Sequence, residues 1–380
     1  MMNKNILISG ASVAGPALAF WLRRFGFSPT VVERAETLRE GGAAVDFRGP
    51  AHLGVLSRMG LLEEIRQRRT SPKPWVFVDE RGRRRAGLPA DFAGGDVEIL
   101  RGDLSRVLYE ATRDDTEYLF GDRITGIAET PHGVHVTFQR ATPRTFDLVI
   151  GADGMHSGVR SLAFGPEERY SRYGGAYFAS FNVPAYWQDE PNLLVYNEPG
   201  RMVSPGLLVF RTPPLHLDRA DPAGQKEIVA GAYAGAGWRT AEIIEAVRAA
   251  SEFYLDSISM VRLPRITSGR FALLGDAAHG AGLGGMGTGA SVVGAYVLAG
   301  ELAAAAGDHT TAFPAYEEIM VPYARRGQGI GAANFLAPAT RGRIRQRNLM
   351  TLLLGSGPMT RMIGRMDRKI ASNITLKDYS

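Results

Sequence analysis

The stretch from Asn5 to Ala35 limits what the rest of the chain can be. Ile6, Leu7 and Ile8 form a short apolar run, Gly10-Ala11-Ser12-Val13-Ala14-Gly15 follows at once, and an Ala/Leu-rich segment runs from Pro16 to Phe25. Thr30, Val31 and Val32 then end on Glu33, so the order reads strand, glycine turn, helix, second strand. In such a unit Gly10 lets the chain leave the strand through a tight turn, and Gly15 lets the helix lie close to the sheet. Ser12 stands where the motif usually has a second Gly, and it is small enough to keep the backbone near a phosphate. The free N–H groups of Val13, Ala14 and their neighbours would face a pyrophosphate with the helix dipole behind them. Glu33 follows Gly10 by 23 residues, about where a carboxylate that accepts from ribose hydroxyls is expected.

A chain of 380 residues with 45% hydrophobic content can fill two domains, or one large α/β body with an inserted layer. Cysteine is absent, which removes disulfides, thiolate catalysis, Fe–S clusters and cysteine zinc sites together. The first strand starts within a few residues of Met1, leaving no room for a signal peptide, and no apolar run reaches the length of a membrane span; a cytoplasmic location is expected. The net charge of +5 is uneven, because eight basic residues between Arg341 and Lys369 face Asp367 alone. That tail could suit nucleic acid or an anionic membrane. Arg341, Arg343, Arg345 and Arg347 alternate, however, which scatters charge around a helix. The tail is therefore read as a solvated terminal helix docked by Leu349, Met350, Leu352 and Leu353, with neither nucleic acid nor membrane as partner.

Further along, Glu40 to Pro50 is a glycine-rich loop, and an amphipathic helix then carries Leu53, Leu56, Met59, Leu61, Leu62 and Ile65. Arg101 opens a helix whose mouth suits a phosphate, and Asp103 favours its N-terminus. Arg123 to Ile127 and Val134 to Phe138 read as a hairpin around Pro131-His132-Gly133. Phe146 to Gly154 and Phe271 to His279 are buried strands with polar endings, the places where open α/β sheets hold ligands. Between them Tyr177 to Val183, Leu193 to Tyr196, Gly206 to Phe210 and Ile228 to Ala232 read as antiparallel strands of a separate sheet. The fold expected is α/β: a Rossmann-like, discontinuous nucleotide domain (1–70, 96–170 and 266–330), an inserted, mainly antiparallel sheet (71–95 and 171–265), and a C-terminal helical segment (331–380). A cleft between the layers suits a bulky apolar ligand, with Phe178, Phe181, Tyr196, Phe210 and Trp238 as candidate lining.

Three markers taken together, Gly10 to Gly15 with Glu33-Arg34, Asp153-Gly154-Met155-His156-Ser157-Gly158-Val159-Arg160, and Gly275-Asp276-Ala277-Ala278-His279, resemble those of a known family. It is the FAD-dependent aromatic hydroxylases of the para-hydroxybenzoate hydroxylase type, single-component flavoprotein monooxygenases. The likeness covers nearly the full length and is greatest to the short branch of tetracycline-inactivating and actinobacterial antibiotic-tailoring enzymes. It implies that Gly10, Ser12, Val13, Ala14, Gly15, Glu33 and Arg34 form the N-terminal FAD fingerprint, with Glu33 on the adenosine ribose, Arg101 on the pyrophosphate, Ile124 at the adenine and Asp276 on the ribityl chain. Gly285, Met286 and Gly287 would meet the pyrimidine edge of the flavin, and Ala44 and Asp46 would pass its isoalloxazine. Asp153 and Arg160 would connect the FAD and NAD(P)H functions. One departure stands out: Gly280 to Gly289 contains no Pro where such enzymes usually carry one, and Gly289 occupies a position where Asn is common. The extra Gly leads us to expect a flavin held loosely at its ring end.

The resemblance implies that NADPH or NADH reduces FAD and that O2 then oxygenates an aromatic or polycyclic natural-product-like substrate through a flavin C4a-hydroperoxide, in a monomer or homodimer. The chemistry is the flavin's, and no Ser/His/Asp grouping or metal is called for. His279 belongs to a cofactor motif and is read as structural. Two alternatives remain at this stage: a flavin-dependent tailoring reductase or oxidase without oxygen insertion, and a non-catalytic protein that sequesters a flavin or ligand.

Overall fold

The computed structural model describes residues 3–38, 42–90, 95–281, 287–328, 332–354, 371 and 373–379. β1 (Asn5–Ser9), α1 (Ala14–Arg24) and β2 (Ser28–Glu33) form a βαβ unit with β1 and β2 parallel. After β3 (Ala44–Phe47) the expected amphipathic helix is two, α2 (Gly49–Arg58) and α3 (Leu62–Gln67), divided where Gly60 takes a φ of 77°. β4 (Trp75–Val78) and β5 (Arg84–Leu88) pair antiparallel, and β6 (Val97–Leu100) returns to β3. α4 (Arg101–Glu110) and β7 (Glu117–Phe120) come next. The hairpin expected around Gly133 is β8 (Ile124–Thr130) and β9 (Gly133–Phe138), joined by β10 (Arg144–Phe146). β11 (Leu148–Gly151) and α5 (Gly158–Ala163) complete this part.

The inserted layer holds β12 (Ser171–Phe181), α6 (Ala185–Gln188), β13 (Leu193–Glu198), β14 (Arg201–Ser204), β15 (Leu207–Phe210), α7 (Pro222–Ala232), α8 (Thr240–Ala249) and β16 (Phe253–Val261). Ile228 to Ala232, expected as a strand, lies in α7. Asp221 caps that helix by accepting from the Gly224 N–H, and Pro222 occupies its first turn, so local start signals outweigh the short apolar run. β17 (Thr267–Ser268), β18 (Phe271–Leu273), α9 (Asp276–His279), α10 (Gly287–Ala304), α11 (His309–Gly327), α12 (Ala332–Leu336) and α13 (Arg341–Leu354) follow.

One sheet runs β17-β18-β11-β1-β2-β7, with every neighbouring pair parallel except β17 with β18. Its central strands are buried on both faces, which is why Ile6 to Ile8 and Leu148 to Ile150 read as unbroken apolar runs. The C-terminal ends of β1, β11 and β18 therefore share one edge, and that edge carries Gly10, Ala152 and Gly275. The second large sheet runs β16-β12-β15-β14-β13-β4-β5. Period-two alternation divides it into two faces. Val76, Val78, Tyr177, Ala179, Phe181, Tyr196, Val203, Leu208, Phe210 and Leu255 pack under α7 and α8. On the other face lie Phe77, Ala176, Val195, Met202, Val209 and Ile258, with Trp75, Phe178, Leu193 and Leu207 half-buried beside them.

The docking expected of the C-terminal helix is corrected. Leu349, Met350 and Leu352 are 60%, 52% and 56% exposed, and the side chain of Leu353 lies outside the described residues. Arg347 and Thr351, one helical turn apart, face the protein instead. The Arg347 guanidinium stacks 3.9 Å from the Phe77 ring centroid and donates to the Phe335 carbonyl (3.0 Å) and Asn197 Oδ1 (2.8 Å). Burial pulls its pKa down to about 10. Replacing Arg347 by Ala should lower unfolding stability by about 2–4 kcal/mol, because two buried acceptors lose their donor. Leu352→Gln should stay within about 0.5 kcal/mol. Denaturant titration of the two variants separates these outcomes.

Candidate active site

The glycine turn is built as close packing requires. Gly10 adopts a φ of 109° and donates its N–H to the Val32 carbonyl (2.8 Å), and a Cβ on it would lie 2.5 Å from the Ala152 oxygen. A Cβ on Gly15 would lie 1.9 Å from the Gly10 carbonyl oxygen. Val13 and Ala14 are buried at the start of α1, where no side chain caps the helix and no acid stands in its first turn. That end remains available to an anion.

Other chain segments converge on it. Arg101 Nε donates to Ser12 Oγ (3.3 Å), and Ser12 Oγ also lies 3.3 Å from Ser105 Oγ. The Arg101 N–H bonds the Ala43 carbonyl (3.3 Å), next to Ala44 at the start of β3. Glu33 is oriented by two backbone donors, Ala11 N–H to Oε2 (2.8 Å) and Ala35 N–H to Oε1 (3.0 Å), with the exposed Arg34 beside it. Ile124 is buried at the start of β8, beyond the Asp122 carboxylate that gathers the N–H groups of Arg123, Arg140 and Ala141. Asp46 on β3 is ion-paired to Arg48 two residues on, both largely buried.

The two polar strand ends behave differently. Asp153 accepts from Ser157 Oγ, the Gly158 N–H (2.8 Å), the Val159 N–H (3.3 Å) and Ser9 Oγ (3.2 Å), so its oxygens are engaged within the fold. Burial pushes its carboxyl up against the pull of those donors. Arg160 is fully buried and rivets this segment to the other marker, donating to Met155 O (2.6 Å), Ala277 O (3.0 Å) and Glu167 (3.3 Å). Asp276 differs: its carboxylate has no hydrogen-bond partner among the described residues. Burial pushes its pKa up, the Arg101 charge pulls it down and Asp256 pushes it up. Gly287 begins α10 so close to it that a Cβ there would meet Asp276 Oδ1 at 3.1 Å. Gly285 and Met286 lie outside the described residues. An uncapped helix start, an Arg with no carboxylate partner among the described residues and an unpartnered half-buried carboxylate fit the phosphates and the ribityl hydroxyls of FAD.

His279 is 8% exposed and neither ring nitrogen has a partner among the described residues; burial lowers its pKa to about 4, so it is neutral. Four of the expected pocket residues are corrected. Phe181, Tyr196, Phe210 and Trp238 belong to the cluster under α7 and α8, with Trp238 lying against Tyr196 and Trp187 at ring separations of 5.9 and 6.2 Å. Register parity puts Phe181, Tyr196 and Phe210 on the helix-covered face, Trp238 joins them from the turn before α8, and only Phe178 points the other way. Tyr254 shares the open face, 5.8 Å from Phe178, and the charge of Arg101 reaches both Tyr254 and Asp276. Trp75, Leu193, Leu207 and Phe335 line the same side. They carried no signal in the sequence beyond alternation.

A family model described as FAD binding domain matches residues 3–325. The chain belongs to that family. An uncharacterised protein of Mycobacterium tuberculosis is 41% identical over 351 residues, covering 87% of this chain and 93% of its own length. A flavin-dependent monooxygenase of Legionella longbeachae is 35% identical over 347 residues, covering 87% and 89%. The crystal structure of tetracycline destructase Tet(51) superposes with a TM-score of 0.83 at 31% identity, each chain covered completely. With these relatives, the chain is an FAD-dependent monooxygenase acting on a small molecule with O2.

At the junction of its two sheets this monooxygenase carries a titratable bridge absent from the sequence reading. His156 Nδ1 lies 2.8 Å from Glu167 and Nε2 3.0 Å from Asp256, while Arg219, Arg160 and Tyr254 also contact these carboxylates. Burial alone would lower the His156 pKa, but the hydrogen bonds to Asp256 and Glu167 outweigh it and the net shift is upward. The stabilisation is therefore complete below the unfolded value of 6.5 and is lost as pH rises through the raised folded value. The melting temperature should fall more steeply in the wild type than in His156→Gln as pH rises above the ordinary histidine value of 6.5. Equal slopes would contradict this reading.

Proposed function

We propose that this monooxygenase takes electrons from NADH or NADPH and places one atom of O2 on an aromatic or polycyclic substrate held between the FAD-binding layer and the open face of the seven-stranded sheet. The observation that carries the reading is that the apolar face, at Phe178 and Tyr254, lies within reach of the Arg101 charge that also acts on Asp276. The likeness to Tet(51) over the whole length supports a polycyclic ligand.

The residues divide the work. The α1 N-terminus, Ser12 and Arg101 take the pyrophosphate, Glu33 the adenosine ribose and Asp276 the ribityl chain, with Gly287 and the start of α10 at the flavin's pyrimidine edge. Ile124 borders the adenine, and Asp46 with Ala44 borders the reacting ring. When bound, FAD supplies electron acceptance from the nicotinamide and activation of O2. The protein orients it, and the apolar wall of Trp75, Phe178, Leu193, Leu207 and Phe335 keeps water from the reaction, which favours transfer to substrate over loss as peroxide. Asp153 and Arg160 act by holding the β11 end against α9.

In this reading residues 1–70, 96–170 and 266–330 bind FAD, 71–95 and 171–265 bind substrate, and 331–380 close the body. Among the described residues no helix is long and apolar enough to cross a membrane. The reading takes the enzyme as cytoplasmic, a monomer or homodimer, with neither membrane nor nucleic acid as partner. The test is turnover of polycyclic phenols or enols under labelled O2: substrate-stimulated NAD(P)H oxidation with one labelled atom in the product is expected. Product without label, or undiminished turnover under strict anaerobiosis, overturns it in favour of a flavin reductase or oxidase.

A further inference from the structure

His52 has no part in the assignments above, yet it is completely buried between the turn after β3, the start of α10 and Tyr323 of α11. Its Nδ1 accepts from the Arg48 N–H (3.1 Å), and its Nε2 lies 2.7 Å from the Tyr323 hydroxyl. A backbone donor at Nδ1 means that the proton sits on Nε2, which therefore donates to Tyr323. The Tyr323 hydroxyl in turn donates to the Ala371 carbonyl (3.0 Å). Every donor in this chain has one acceptor. Burial, with the Arg48 charge, lowers the ring's pKa to about 4 against a smaller pull from Asp96, so the imidazole stays neutral at working pH.

The imidazole occupies space that only a glycine in the first turn of α10 leaves free. A Cβ on Gly289 would lie 2.1, 2.2 and 2.5 Å from His52 Cε1, Nδ1 and Nε2. The Phe47 and Tyr323 rings flank it edge-on at 6.4 and 6.5 Å, so it cannot swing away without displacing the core. On one side it holds the turn that follows Asp46, and on the other it abuts the helix start next to Asp276.

We propose that His52 is a positioning residue for the monooxygenase reaction: seated in the Gly289 notch, it sets the spacing between the Asp46–Arg48 turn and the start of α10, the two segments that flank the flavin ring. This rests on the placement of the ring given above. It also reverses the expectation of a loose ring end. The glycine at 289 removes a side chain, and His52 fills the space from the neighbouring layer.

The experiment uses FAD-loaded wild type, Gly289→Ala, His52→Ala, the double variant and Tyr323→Phe. The dissociation constant for FAD, the visible band shape of the bound flavin and the rate of peroxide release with NADH or NADPH in air are measured on each. Each single change should keep FAD affinity within about threefold but alter the band shape and raise peroxide release about tenfold, since a displacement near 1 Å is costly at a reacting centre. The double variant should lie nearer wild type than the product of its two parents, because the small residue at 52 relieves the collision at 289. Tyr323→Phe removes one hydroxyl and keeps the packing, so it tests the same chain should the larger changes prevent folding. Variants that melt earlier while band shape and peroxide release stay at wild-type values, or effects that simply multiply, would overturn the proposal. A wild-type protein that binds no FAD would instead sink the cofactor placement itself.

Discussion

Gly15 approaches the Gly10 carbonyl more closely than any side chain permits, and this contact aims the start of α1 at the edge where β1, β11 and β18 end. A methyl group at position 15 would lift the helix off the strand and move its unbonded N–H groups out of line. The rest of the site is measured from that point: Glu33 is held by the Ala11 N–H inside the turn, and Arg101 is held by Ser12. The cradle is made by backbone packing first and side chains second.

The polar groups around that cradle fall into two sets. Asp153 and Arg160 spend their hydrogen bonds on the protein itself, joining the end of β11 to α9 across 117 residues of chain. Arg101 and Asp276 keep theirs in reserve, one without a carboxylate and the other without a donor among the described residues. A half-buried carboxylate without a donor is costly unless a ligand completes it. The contrast therefore separates residues that hold the fold from those whose polar groups are left for a ligand, although both belong to short motifs that look alike in sequence.

Much of this was legible in the chain. The glycine turn, Glu33 and the two polar strand ends are local patterns in which each residue's task is fixed by its neighbours, and parallel strands buried on both sides leave continuous apolar runs. What could not be read depends on parity and distance. Phe178 and Phe181 sit on one strand, three residues apart, and face opposite sides, so only knowledge of which face α7 and α8 cover tells lining from core. Arg347, and not Leu349, Met350 or Leu352, anchors α13 because it meets Phe77 and Asn197, 270 and 150 residues earlier. His52 with Gly289, and His156 with Asp256, are likewise pairs that only the folded chain brings together.

The account stands on the convergence of sites near Gly10, Asp153 and Asp276 on one FAD. Titrating flavin-free protein with FAD, followed by flavin fluorescence, measures this directly. One FAD per chain is predicted, with affinity reduced about tenfold to a hundredfold by either Arg101→Ala or Asp276→Ala, the loss of one charged hydrogen bond each. Affinity unchanged by both substitutions, or protein that takes up no flavin, would contradict it.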